Sequence, residues 1–277
     1  MIEYFQHPRF EAFSLEHPEP DPDRVGVMLV HGFSGTPADM RPLACALHHL
    51  GANCHIPRHH GMATDLANLS HMTADIWRDS SLRWWREHTT RYRRTILVGY
   101  SMGGAAAIQM ATQVQPDLLV LMAPFVRIND RRAMLLPVAK RVVKELHLFS
   151  DLNFDDPGTR QWFKAALPDL DFDDPEVVRS LREETGVSPQ VIDELRKFGV
   201  SARQVAAKVT APVVVIQGHQ DTVVHPRYTR ELMDRFPHLR AYHEVPGDHM
   251  IPLDTAASWP VIESIVLNEV QGLLPDL

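Results

Sequence analysis

Thr95-Ile96-Leu97-Val98-Gly99-Tyr100-Ser101-Met102-Gly103-Gly104-Ala105-Ala106-Ala107 decides how the whole chain is read. Apolar and β-branched residues run into Gly-x-Ser-x-Gly, and a small-residue helical segment follows at once. Strand, tight turn and helix in that order form a nucleophile elbow, with a serine exposed on a strained turn. The turn crowds its neighbours, so glycine is wanted at Gly99 and Gly103, where a side chain would collide. Gly104 and the three alanines let the helix pack close under the strand. Ser101 then projects at a helix N-terminus, where free N–H groups and the helix dipole favour developing negative charge.

Outward from the elbow the same rhythm repeats. Val25–Val30 and Leu118–Met122 are continuous apolar runs, as strands buried on both faces of a parallel sheet require. Ala52–Ile56, Pro212–Gly218 and Ala241–Val245 read as further strands, with a short edge strand near Phe13–Leu15. Helices are expected over about Pro42–Leu50, Ala74–His88, Arg227–Arg235 and Ala257–Leu273, and a loop over residues 57–70. The alternation predicts an α/β fold, a doubly wound and mostly parallel sheet.

Between Phe125 and Lys208 the rhythm breaks. The amphipathic segments Arg132–Leu146, Thr159–Ala166, Pro175–Glu184 and Pro189–Lys197 replace buried strands. Asp174-Pro175 and Ser188-Pro189 each place an N-cap residue before a proline at the first helical position. This stretch is too long for a simple crossover. A helical lid insertion at 125–208 is therefore expected on a core of 1–124 and 209–277. Its apolar residues Leu135, Leu136, Phe149, Trp162 and Phe163 would serve either an acyl pocket or packing on the core.

Bulk properties exclude several classes. The 277 residues carry 28 basic and 35 acidic side chains, a net charge of −7, so a nucleic-acid partner is not expected. No apolar run is long enough to span a membrane. Met1–Pro8 lacks the basic and apolar regions of a signal peptide, and Cys45 and Cys54 form no metal or redox spacing. A cytoplasmic location with two free thiols is the expectation. Among 16 histidines, His48-His49, His55 and His59-His60 are densest, but they lack the spacing of a zinc hydrolase motif. Neither metal nor cofactor is expected, and a homodimer stays open.

Serine alone is a poor nucleophile and needs a base, which in turn needs an orienting carboxylate. Functional groups of a parallel sheet sit at the C-terminal ends of its strands. Asp221 follows the strand ending at Gly218, and His249 follows the strand ending at Val245. The order Ser101, Asp221, His249 assigns nucleophile, acid and base. Asp248, Asp254, His219, His225 and His243 are less well placed and read as loop or strand residues. A tetrahedral oxyanion needs two N–H donors, assigned to the Phe33 and Met102 amides; losing one such donor typically costs about 10²–10³ in turnover.

Together, His31-Gly32-Phe33-Ser34-Gly35-Thr36-Pro37, Gly99-Tyr100-Ser101-Met102-Gly103-Gly104, Gly218-His219-Gln220-Asp221 and Gly247-Asp248-His249 resemble an α/β-hydrolase. The resemblance is nearest to the bacterial carboxylesterase/monoacylglycerol lipase group. It implies hydrolysis of small acyl esters through an acyl-enzyme, no cofactor, and a lid contributing to the acyl pocket. Thioester hydrolysis, C–C bond hydrolysis or perhydrolysis would use the same residues, and a non-catalytic receptor would leave them idle. Pro57-Arg58-His59-His60-Gly61 resembles the group's Pro-x-x-x-Gly loop, with no assigned role.

Overall fold

Strands that need cover on both faces occupy the middle of a seven-stranded sheet. The computed structural model describes residues 2–19, 21, 23–128, 145–147, 152–156, 159–160, 163–164, 167, 169–183 and 186–274. Its strands are β1 (Phe13–Leu15), β2 (Gly26–Val30), β3 (Asn53–Ile56), β4 (Thr95–Tyr100), β5 (Leu118–Met122), β6 (Leu146–His147), β7 (Gly186–Val187), β8 (Val213–Gly218) and β9 (Leu239–Val245). The sheet order is β1-β3-β2-β4-β5-β8-β9. All neighbours run parallel except β1, which pairs antiparallel with β3 at one edge. The elbow strand β4 is thus central, flanked by β2 and β5.

The helices are α1 (Ile2–Phe5), α2 (Arg41–His49), α3 (Ala74–Thr89), α4 (Met102–Ala111), α5 (Pro175–Glu183), α6 (Pro189–Val205), α7 (Pro226–Met233) and α8 (Trp259–Gln271). Side chains alternate across a strand, so β4 feeds two cores. Ile96 and Val98 pack with Leu43 and Leu47 of α2 and Ile262 and Val266 of α8. Leu97 packs on the opposite face with Trp77 and Trp85 of α3, Ile108 of α4, Phe198 of α6 and Leu232 of α7. The result is a doubly wound sheet between two helical layers. Every residue of α4 is buried, which explains its run of small residues.

Three features depart from the sequence expectation. Residues 63–71, starting inside the expected loop and ending one residue past it, form a 3-10 helix (Ala63–His71), with the Asp65 carboxylate accepting the Gly61 N–H at 2.6 Å. Propensity did not reveal it because a side chain closes that turn. A short two-stranded pair, β6 with β7, lies in the segment expected to lack buried strands, and β7 is only half-buried. Finally, α6 runs eight residues beyond its expected end, from Lys197 to Val205, because Phe198 and Ala202 continue the buried stripe of Val191 and Leu195. That helix packs in the same core as α3 and α4. The Glu194 carboxylate accepts the Ala74 N–H at 3.1 Å, tying α6 to the start of α3.

The N-caps at Asp174 and Ser188 hold: their side chains accept from the Glu176 and Val191 amides. Phe163 is buried with Phe154, Phe172 and Leu181 in a small separate core, which favours its packing role. Leu135, Leu136, Phe149 and Trp162 lie outside the described residues, as does the expected helix at 132–146 except for its last two residues.

Burial leaves three imidazoles neutral. Desolvation lowers His31 to about 4 and His88 to about 3, and pushes His59 well below the usual range. The unfolded chain binds protons at these positions near pH 6.5 and the folded chain does not, so stability is full above that pH and falls below it. For His31 alone the loss between pH 6.5 and about 4 is about 3 kcal/mol. Guanidinium midpoints measured between neutral pH and about pH 5 will fall steadily; a flat profile would refute neutral burial.

Candidate active site

β4 ends at Tyr100 and α4 starts at Met102, so Ser101 makes the whole reversal with φ 53° and ψ −117°. A left-handed non-glycine residue costs about 1–3 kcal/mol and needs a surrounding that imposes it. Here the Ser101 N–H donates to the Met122 carbonyl at 2.9 Å, and its carbonyl accepts from the Gly104 and Phe125 amides, each at 2.9 Å. A Cβ on Gly103 would overlap the Val30 carbonyl and lie 2.6 Å from the His31 oxygen. One on Gly99 would lie 2.7 Å from the Gly103 carbonyl carbon. The crowding read from the motif therefore comes from the main chains of β2 and α4.

Asp221 stands on the loop after β8 and His249 on the loop after β9. His249 Nε2 lies 3.0 Å from Ser101 Oγ, and His249 Nδ1 lies 2.8 Å from Asp221 Oδ2. All three residues are buried, at 7% exposure for Ser101 and His249 and 2% for Asp221. Four donors converge on the Asp221 carboxylate. Oδ1 accepts the Val223 and Val224 amides at 2.9 and 2.8 Å. Oδ2 accepts His249 Nδ1–H and, at 3.0 Å, Gln217 Nε2. The Thr229 hydroxyl donates to Gln217 Oε1 at 2.6 Å, which fixes the end of the amide that faces Asp221. With Nδ1 donating, Nε2 is free to accept the Ser101 proton.

Gly32 abuts Ser101: a Cβ there would lie 3.1 Å from Ser101 Cβ. The next amide, Phe33, lies on the same turn, and Met102 opens α4, where N–H groups have no partner within the helix. His31 controls this turn. Its Nε2 accepts the His59 N–H at 3.2 Å, so Nδ1 carries the proton and donates to the Gly32 carbonyl at 2.8 Å. A peptide unit is planar, so holding the Gly32 carbonyl also aims the Phe33 N–H. The Pro57–Gly61 loop therefore has a structural role: its His59 amide selects the His31 tautomer. Among the described residues the His59 ring has no hydrogen-bond partner, and it packs 5.0 Å from His31 and 5.7 Å from Trp84.

The other candidates are turned elsewhere. His219 donates to the Val245 carbonyl, His225 accepts the Arg227 amide, and His243 faces Glu269. Asp248 is exposed and accepts the Met250 amide; Asp254 is exposed. His48 bonds the Ala52 carbonyl, and His55 bonds Ser14 and Tyr92. Among the described residues, no group of three or more His, Cys, Asp or Glu is placed to hold a metal ion. No helix of the described residues is long and apolar enough to cross a membrane.

Three contributors escape the sequence reading: His31, Gln217 and Thr229. Gln217 had a visible signal, since it is the one polar side chain in the run Val213–Gly218 and a buried amide needs partners. An arrangement of this kind can deprotonate a hydroxyl as it attacks a carbonyl and can stabilise the oxyanion that results.

The chain is also similar to several known proteins. The family described as serine aminopeptidase, S33, matches residues 21–254. A thermostable monoacylglycerol lipase of Bacillus sp. (strain H-257) is 36% identical over 94 residues, 34% of this chain and 37% of the relative. A monoacylglycerol lipase of Mycolicibacterium smegmatis is 29% identical over 196 residues, 63% of this chain and 64% of the relative. The chain thus matches between about a third and two thirds of the length of these curated relatives. Among solved structures, one described for LipS and LipT, two metagenome-derived lipolytic enzymes, superposes with TM-score 0.74 at 20% identity, covering 96% of this chain and 98% of that one. The monoacylglycerol lipase of Paleococcus ferrophilus gives TM-score 0.67 at 17% identity, covering 95% and 99%.

Proposed function

The chain belongs to the serine aminopeptidase S33 family of α/β-hydrolases, and from that membership we propose that it is a carboxylic ester hydrolase working through an acyl-enzyme. The observation that carries this is the pair of hydrogen bonds, 3.0 and 2.8 Å, that joins Ser101 to His249 and His249 to Asp221. Ser101 Oγ attacks the acyl carbon as its proton passes to His249 Nε2. Asp221 holds the imidazole tautomer and stabilises the imidazolium. The Phe33 and Met102 amides receive the oxyanion. His249 then protonates the leaving alcohol, and a water activated by the same imidazole releases the acid. No step calls for a cofactor.

Esters are favoured over peptides because the similar chains carry names of lipases. The substrate class is short- to medium-chain acyl esters or monoacylglycerols, with the insertion at 125–208, anchored in the core through α6, serving as a lid that borders the acyl pocket. A fluorophosphonate probe will label Ser101, and p-nitrophenyl esters from acetate to laurate will show a maximum in kcat/KM along the series. The same panel carries acyl-CoA and diketone substrates. Cleavage of either of those with esters left intact would replace ester hydrolysis by a different reaction on the same residues, and an unlabelled Ser101 would leave a receptor.

A further inference from the structure

Tyr100, the residue immediately before the nucleophile, is used by none of the chemistry above. It ends β4 at 5% exposure, among Val98, Val245 and Ile251 on the α2/α8 face of the sheet. Its hydroxyl donates to the main-chain carbonyl of His249 at 2.8 Å, with Met250 Sδ at 3.8 Å as a further neighbour. Its ring also packs against the His249 imidazole, with centroids 5.2 Å apart at 36°. Desolvation and then the Asp39, Asp221 and Asp248 carboxylates hold the phenol well above its ordinary value, so it stays a donor.

The loop that carries His249, residues 246–258, has no helix or strand of its own. Its main chain is tied to the acid side of the site: Gln220 N–H donates to the Gly247 carbonyl at 2.9 Å, and His219 N–H to the Val245 carbonyl at 3.0 Å. The Tyr100 hydroxyl ties the same loop to the nucleophile side. Residues 100 and 101 share one peptide unit, so donor and nucleophile move together. We propose that Tyr100 is a positioning residue, whose bond to the main chain of residue 249 locks the base loop onto the elbow strand and sets the approach of His249 to Ser101. This inference rests on the reading of Ser101 and His249 as nucleophile and base. A small misplacement of a reacting group is costly, up to about 10²-fold per ångström.

The test is Tyr100→Phe, which keeps the ring and its packing and deletes one oxygen. The expected result is a fall in kcat on a p-nitrophenyl ester of about tenfold with KM within about twofold. Fluorophosphonate labelling of Ser101 will slow in proportion, and the low-field proton resonance of His249 Nδ1 will broaden. Tyr92→Phe is the control. Tyr92 is also buried, and its hydroxyl bonds His55 at 2.7 Å, away from the site. That variant will lower the melting temperature and leave kcat unchanged. Three outcomes overturn the proposal: a Tyr100→Phe kcat equal to wild type, an equal loss in Tyr92→Phe, or a loss that vanishes when rates are normalised to titrated sites. A wild-type chain that is never labelled at Ser101 would sink the underlying assignment instead, so the two failures are separable.

Discussion

Replacing Ser101 by alanine will lower ester hydrolysis by about 10⁴-fold or more while the fold survives. The size follows from where the hydroxyl sits. It lies 3.0 Å from His249 Nε2, and the attacking oxygen disappears with it. What remains is the pair of oxyanion donors and substrate binding, which sustain only residual catalysis. The fold survives because alanine meets the same left-handed cost as serine at φ 53°, and the main-chain bonds to Met122, Gly104 and Phe125 do not involve the side chain. Initial rates on a p-nitrophenyl ester, paired with a thermal melt, decide it. A variant that keeps even a tenth of the wild-type rate would mean that the nucleophile is another group.

The second large effect comes from Asp221→Asn, for which a fall in kcat of about 10⁴-fold is expected with little change in KM. Four N–H donors point at this side chain, two at each oxygen. An amide has one oxygen to offer. If that oxygen keeps the Val223 and Val224 bonds, its NH2 faces His249 Nδ1, and the imidazole must accept there. Nε2 then carries the proton and cannot take one from Ser101. If the amide turns over, two buried main-chain donors lose their acceptor, which costs about 1–3 kcal/mol each. Either state disables the relay. A rate for Asp221→Asn within tenfold of wild type would show that another group orients the imidazole.

Legibility in the sequence followed a physical division. Strands buried on both faces advertise themselves as unbroken apolar runs, so Leu118–Met122 is legible to the residue, and alternation with helices makes the mostly parallel sheet legible but not its strand order. The elbow was legible because steric demand leaves glycine no substitute at residue 103. Asp221 and His249 stand out by topology, since loops at one end of a parallel sheet converge, and the structure brings both beside Ser101. What stayed hidden depends on contacts between distant segments. The Tyr100 hydroxyl meets a carbonyl 149 residues later, and the His59 amide selects a tautomer 28 residues earlier. No local pattern encodes such meetings. The end of helix α6 is not legible, because the charged stretch around Arg196-Lys197 masks the buried stripe that continues past it.

The left-handed backbone at Ser101 bears on how such a chain can drift. Glycine would occupy that dihedral without penalty, so a lineage freed from the need for turnover can lose its chemistry in one substitution and gain stability of about 1–3 kcal/mol by doing so. Gly103 has no comparable exit, because any side chain there drives into the neighbouring strand's carbonyls. If Ser101 is the nucleophile proposed, abandonment of the reaction is therefore downhill for the architecture.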